Sequence, residues 1–193
     1  MIRIAQEAGV PAILSIYAPY VRETTITFEY EVPGQEEFLD RFRNITQEFP
    51  WLVWEEQGEI LGYTYACRPF ARAAYSWCAE PSIYLKPEAH GRGIGRKLYE
   101  ALEELLKIQG YQALLALITG ENIHSVGFHE RLGYQIVGQL KNTGYKFQRW
   151  LDVFWMEKLL NFVQNPLEFP TKWSAIVQDN QNICDILYNL SLS

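Results

Sequence analysis

The sequence predicts an α/β chain in which strands and helices alternate, as in an α/β or α+β sheet covered by helices on both faces. Three stretches carry that prediction. Trp51-Leu52-Val53-Trp54-Glu55 and Ile60 to Ala66 flank Gln57-Gly58-Glu59 as the arms of a hairpin. Residues 93–109 place Ile94, Leu98, Leu102, Leu105 and Leu106 on one stripe, and Gly110 ends the helix. Ala113 to Ile118 is a continuous apolar run of strand length, the pattern of a strand buried on both faces.

The remaining elements follow in chain order. Ile2 and Ile4 alternate with polar neighbours as a short first strand. Residues 7–20 set Val10, Ile13, Leu14 and Tyr17 at helical spacing, with Pro11 in the first turn, where its missing N–H matters little. Thr25-Ile26-Thr27-Phe28 reads as extended, and residues 35–48 read as a helix with Phe38, Leu39 and Phe42 on one face. A strand is expected over about 75–86, ending at Lys86-Pro87. A short helix near 122–131, Gly133, and strands near 134–141 and 149–158 complete a domain expected to span residues 1–160. Pro166 and Pro170 break regular structure after it. Beyond them Trp173, Ile176, Val177, Ile183, Leu187 and Leu190 approximate one helical face, so residues 161–193 read as a linker and an amphipathic C-terminal helix. That face requires burial, on its own domain or on a partner subunit.

Composition narrows the class. The 193 residues are 48% hydrophobic and 15% aromatic, enough for one well-buried core. Only 21% are charged, which argues against wholesale disorder. A formal charge of -6 and a pI near 5.2 oppose bulk binding of nucleic acid, which needs a positive footprint. No apolar run approaches the roughly 18 residues of a membrane span, and Met1 to Glu7 lacks the pattern of a secretion signal. Cys67, Cys78 and Cys184 are odd in number and lack metal-ligand spacing, as in reduced thiols of a cytoplasmic protein.

The most chemically informative stretch runs from Ile83-Tyr84-Leu85 through Lys86-Pro87-Glu88-Ala89 to His90-Gly91-Arg92-Gly93-Ile94-Gly95-Arg96-Lys97. A strand enters a glycine-rich, basic loop that opens directly onto a helix. Glycines permit close backbone approach. The first helical amides lack internal partners and sit at the positive end of the dipole, which together makes a seat for phosphate. Arg92, Arg96 and Lys97 add local positive charge to an acidic chain. Neither the P-loop nor the Rossmann glycine spacing is present.

His90-Gly91-Arg92-Gly93-Ile94-Gly95 resembles the pyrophosphate loop of the GNAT superfamily of N-acetyltransferases, written Gln/Arg-x-x-Gly-x-Gly/Ala, with His90 at its first position. Asn122-Ile123-His124-Ser125-Val126-Gly127-Phe128-His129-Glu130-Arg131-Leu132-Gly133-Tyr134 resembles the second signature, Asn-x-x-Ser/Ala followed by an aromatic pair and Leu-Gly-Phe/Tyr. The resemblance implies a central, mixed, mostly antiparallel twisted sheet of about seven strands flanked by helices, here with a C-terminal helical extension. It implies acetyl-CoA as co-substrate and no metal. The implied contacts to it are the backbone of Ile83, Tyr84 and Leu85 for the pantetheine arm, His90, Gly91, Arg92, Gly93, Ile94, Gly95 and Arg96 at the loop, and Asn122 and Ser125 from the second signature.

Ala71-Arg72-Ala73-Ala74-Tyr75-Ser76-Trp77-Cys78-Ala79-Glu80 is similar to the phosphinothricin N-acetyltransferase branch, which also acetylates methionine sulfoximine and methionine sulfone. Thr27-Phe28-Glu29, Gly62-Tyr63-Thr64-Tyr65-Ala66 and Gly144-Tyr145-Lys146 extend the likeness, which covers about residues 1–159. The branch implies a general base at Glu80, because an amine arrives protonated and only its neutral form attacks a thioester. Pro81 donates nothing to a ladder and predicts a bulge or interrupted pairing, the feature that opens a V-shaped slot in this superfamily. Amides around Ile83 to Leu85 are the implied donors to the carbonyl oxygen.

His129 stands where many members carry a tyrosine that protonates the departing thiolate. It either does that work as an imidazole or packs structurally. His90 and His124 read as loop or surface residues. Phe28, Arg72, Tyr75 and Tyr145 are the implied acceptor-binding residues, with Arg72 and Tyr75 suited to a carboxylate or else a loop arginine and a packing tyrosine; Trp77 reads as core. One departure stands out: two histidines that help the branch hold substrate are Phe147 and Leu151 here. The expected reaction is acetyl transfer to the primary amine of a small amino-acid-like molecule, by a cytoplasmic homodimer. An acyl-CoA-sensing domain without turnover and a protein N-acetyltransferase remain the alternatives.

Overall fold

A computed structural model describes residues 1–160, 168–177 and 181–192. Its seven strands are β1 (Ile2–Ile4), β2 (Trp51–Glu56), β3 (Glu59–Cys67), β4 (Cys78–Leu85), β5 (Ala113–Thr119), β6 (Gln135–Lys146) and β7 (Arg149–Leu159). They form one mixed sheet in the order β1-β2-β3-β4-β5-β7-β6. Every neighbouring pair is antiparallel except β4 and β5. Among the described residues six α-helices join them: α1 (Val10–Glu23), α2 (Gln35–Glu48), α3 (Ile94–Gln109), α4 (Ile123–Arg131), α5 (Trp173–Ile176) and α6 (Gln181–Leu192). Among the described residues no helix is long and apolar enough to cross a membrane.

The helices cover both faces of the sheet. On one side α1 and α2 close over Val10, Ile13, Phe38, Phe42, Trp51 and Tyr63. On the other, α3 presents Leu98, Leu102, Leu105 and Leu106, all fully buried, to the sheet. Burying four such side chains contributes roughly 1.5–3 kcal/mol each, which anchors the helix whose first turn faces the site. Gly110 ends it at φ 97°, letting the Tyr111 amide donate to Leu106 O at 3.0 Å.

Four expectations differ from what is observed. Helix α1 runs past Pro19 to Glu23, because the buried face Val10, Ile13, Tyr17, Val21 outweighs one missing backbone donor. Thr25 to Phe28 forms no strand: side chains take its backbone groups, with Thr119 Oγ1 donating to Thr25 O at 2.6 Å and Lys146 Nζ donating to Thr27 O at 2.7 Å. Strand β6 continues to Lys146 and turns through Phe147 and Gln148, both at positive φ, as a two-residue hairpin turn requires. Leu117 of β5 is 44% exposed, since β4 has moved away from it.

The tail carries two helices where the hydrophobic spacing predicts one. Trp173, Ile183 and Leu187 are buried against the domain's own core. Ile2 N donates to Ser191 Oγ at 2.8 Å, and Gln109 Nε2 donates to Thr171 O at 2.8 Å. The tail's apolar face is therefore covered by its own domain. Most of the expected linker lies outside the described residues.

Candidate active site

Strands β4 and β5 pair only at Cys78↔Ala113 and Ala79↔Leu114, then separate. Toward β3 the ladder of β4 is unbroken from Glu80 to Leu85, with no register shift at Pro81. The interruption that Pro81 predicts therefore lies wholly on the β5 side. Lys86 N donates to Leu61 O at 2.8 Å, so by the two-residue alternation the amides of Glu80, Ser82 and Tyr84 turn to β3. Those of Ile83 and Leu85 turn into the gap. Of the three implied arm-binding residues, Tyr84 thus spends its backbone on the sheet, and its ring packs with Tyr17, Tyr20 and Tyr63.

The gap widens into a groove of about 660 Å³ that runs past Leu85 to the loop before α3. Gly91 and Gly93 hold φ of 72° and 77°, a region that side chains resist. No side chain caps the helix start, so its first amides are open to an anion. His90 Nε2 lies 3.3 Å from Tyr20 OH, which donates to Leu85 O at 2.6 Å. Arg96 lines the groove while its Nε donates to Glu100 at 2.7 Å, and Arg92 donates to both oxygens of Glu56 at 2.8 Å. Exposed pairs of this kind contribute little, so a phosphate in the groove can replace Glu100 at Arg96, whereas Arg92 does not line the groove. Lys97 is turned the other way, donating to Ser191 O at 3.0 Å beneath the tail. Sequence reasoning missed Tyr20, Ile26, Phe128 and Arg131 as groove residues; only the fold reveals the direction of their side chains.

Glu80 is half-buried on β4, and no described protein group lies within hydrogen-bond reach of its carboxylate. Burial raises its pKa above the ordinary carboxylate value. Its cross-strand partner Cys67 has a thiol pushed up to about 12 by burial and then by Glu80; burial pushes Cys78 to about 11.

His129 is 3% exposed at the bottom of the slot, where Tyr99 and Ile83 also line it. Its Nδ1 lies 2.8 Å from Ser125 O, an acceptor only, so Nδ1 carries the proton. Nε2 then accepts from Tyr99 OH at 2.9 Å. Burial lowers its pKa to about 4, against a smaller opposing effect of the Ser125 hydrogen bond. Asn122 caps α4, its Oδ1 accepting from Ser125 N at 3.2 Å, and both residues line slot and groove.

The implied acceptor residues fall in two places. Phe28 lies against Gly144, where an added Cβ would meet its ring at 2.2 Å, and the Tyr30 hydroxyl donates to Tyr145 O beside it. Tyr145 is itself half-exposed and packs on Trp150 at 5.1 Å. Arg72 and Tyr75 occupy the separate connection from β3 to β4, with the Tyr75 ring 4.5 Å from Phe70. Trp77 packs on the tail, stacking on Phe169 at 4.9 Å and donating to Glu168 O at 3.1 Å. Phe147 is exposed and Leu151 is buried. Among the described residues no cluster of His, Cys, Asp and Glu could hold a metal ion.

Open amides before α3 at one end of this groove and an unpaired strand edge at the other suit a ligand with a phosphate-bearing end and an extended arm. That is the architecture of a coenzyme A-dependent acyltransferase. Comparison with known proteins agrees. Residues 2–155 match the model of the acetyltransferase (GNAT) domain. The chain is 36% identical over 162 residues to the phosphinothricin N-acetyltransferase of Alcaligenes faecalis, covering 83% of this chain and 82% of that one. It is equally 36% identical over 162 residues to the L-methionine sulfoximine/L-methionine sulfone acetyltransferase of Pseudomonas aeruginosa, covering 81% and 92%. A crystal structure of a GNAT superfamily phosphinothricin acetyltransferase from Sinorhizobium meliloti with acetyl-CoA superposes with a TM-score of 0.82 at 35% identity, over 89% of this chain and 92% of that one. The chain belongs to the GNAT acetyltransferase family.

Proposed function

We propose that this protein transfers the acetyl group of acetyl-CoA to the primary amine of a small amino-acid-like molecule, with Glu80 as general base. The observation that carries the reading is a half-buried carboxylate, without a hydrogen-bond partner among the described residues, on the strand that leaves its neighbour to form the slot. A base raised toward neutrality suits removal of an ammonium proton. The neutral amine adds to the thioester carbonyl, whose oxygen becomes an anion facing the gap-directed amide of Ile83. Collapse breaks the carbon–sulfur bond, and the proton lost by the amine offsets the charge on the departing thiolate. Both thiols near Glu80 stay protonated at neutral pH, which favours direct transfer over an acyl-cysteine intermediate.

Of the two roles open to His129, its geometry favours packing: the neutral ring points its one N–H at Ser125 O and offers Tyr99 its lone pair. The acceptor site is assigned to Phe28 and Tyr145 on one side and Arg72 and Tyr75 on the other. The names of the relatives make phosphinothricin, methionine sulfoximine and methionine sulfone the first amines to try. Three free cysteines accord with a reducing, cytoplasmic setting. Exposed Ile136, Val137 and Leu140 on the edge strand β6 favour a homodimer over that edge. Release of free thiol from acetyl-CoA, dependent on one of these amines, tests the function. Acetyl-CoA binding with no amine turned over would leave a binding module instead.

A further inference from the structure

The segment between α1 and α2 forms the outer wall of the slot, and its backbone is held from an unexpected quarter. Ile26 lines both the slot and the cofactor groove, and Phe28 lies on Gly144. Neither residue belongs to regular structure, so something else must fix the wall. Lys146, the last residue of β6, is 2% exposed and reaches into it. Its ammonium donates to Val21 O at 2.8 Å and to Thr27 O at 2.7 Å, and lies 5.2 Å from the centre of the Phe147 ring. The two carbonyls bracket residues 22–26, so one cation closes the turn that carries Ile26. Supporting clasps surround it: Tyr17 OH and Thr27 Oγ1 are 2.7 Å apart, Arg41 pairs with Glu29 at 2.6 Å, and Thr119 holds Thr25 O.

We propose that Lys146 is a positioning residue of the transfer site: its buried ammonium holds the wall that carries Ile26 and Phe28, and so sets where the acceptor amine meets the thioester. The proposal rests on the reading of the slot given above. A buried cation is a costly fastener, and an apolar side chain of similar length would fill the same space. Its distinctive contribution is direction, since it draws two carbonyls to one point and thereby fixes the turn between them.

The test compares Lys146→Met with the native protein, using acetyl-CoA and L-methionine sulfone. The expected result is a fall of about 10- to 100-fold in kcat/KM for the amine, the range that small misplacements of a bound reactant produce. KM for acetyl-CoA should change by less than about twofold, and amide hydrogen exchange should quicken within residues 22–30. Unchanged amine kinetics, or equal losses for both substrates in proportion to lost thermal stability, overturn the proposal. Should Lys146→Met not fold, Lys146→Arg receives the same measurements; failure of both to fold assigns Lys146 to general stability and also overturns it. If the native protein turns over no amine, the proposed function fails by itself. Faster exchange confined to residues 22–30 then still upholds the role of Lys146 in holding the wall, and uniform exchange contradicts it.

Discussion

The hydroxyl of Tyr99 lies 2.9 Å from Nε2 of His129, and this contact decides what the imidazole can do. With Nδ1–H committed to Ser125 O, the tyrosine proton fills the remaining lone pair, and the ring is neutral in its pocket. A charged imidazole there would force the Tyr99 proton onto the longer contact with Pro81 O, at 3.4 Å, and burial opposes the charge further.

The acid stability of the protein should report this directly. His129 titrates near 4 in the folded state against about 6.5 in the unfolded chain. Its folded pKa is depressed, so the unfolded state binds more protons between those values, and stability present above pH 6.5 is lost as pH falls toward 4. From this residue alone the loss between pH 7 and pH 5 is about 2 kcal/mol. Denaturant unfolding at the two pH values checks it: His129→Phe should flatten that difference, and an unchanged difference assigns the acid limb to other groups.

Glu80→Gln should lower kcat by about 10²- to 10⁴-fold while leaving acetyl-CoA affinity within a few fold, because only the proton acceptor is removed. In the native protein, activity should rise with pH as Glu80 loses its proton, with a midpoint above the ordinary carboxylate value because burial disfavours the charge. Calorimetry alongside steady-state rates separates the two effects.

Gly93→Ala tests the phosphate seat. Space around the residue is open, so the penalty is conformational: φ of 77° costs a side chain about 1–2 kcal/mol. Relief of that strain would move the first amides of α3, and KM for acetyl-CoA should rise several-fold with kcat little changed.

The tail should matter for stability more than for chemistry. Trp173→Ala removes a side chain 2% exposed, from the core shared with α3, and should cost about 3–5 kcal/mol. Thermal unfolding measures it, and amine kinetics at low temperature should stay close to native.

What the sequence made legible was local. The hairpin of β2 and β3, the stripe of α3 and the glycine loop before it each follow from spacing within about 20 residues. The open face of β4 was also readable, since Pro81 has no N–H to give. What stayed hidden depends on partners far along the chain. Lys146 meets Val21 across 125 positions, and Thr25 to Phe28 lost its strand to such distant side chains. Lys97 follows the basic loop yet points at the tail, because its place on α3 aims it at Ser191. No spacing rule could separate it from Arg96.

A structure with acetyl-CoA bound tests the central claim most directly. The account predicts the diphosphate on the amides that follow Gly93, the arm paired with Leu85 along the unpaired edge of β4, and the sulfur in the gap near the Ile83 amide and Glu80. A cofactor bound elsewhere, or a sulfur far from Glu80 with β4 and β5 closed together, would contradict it.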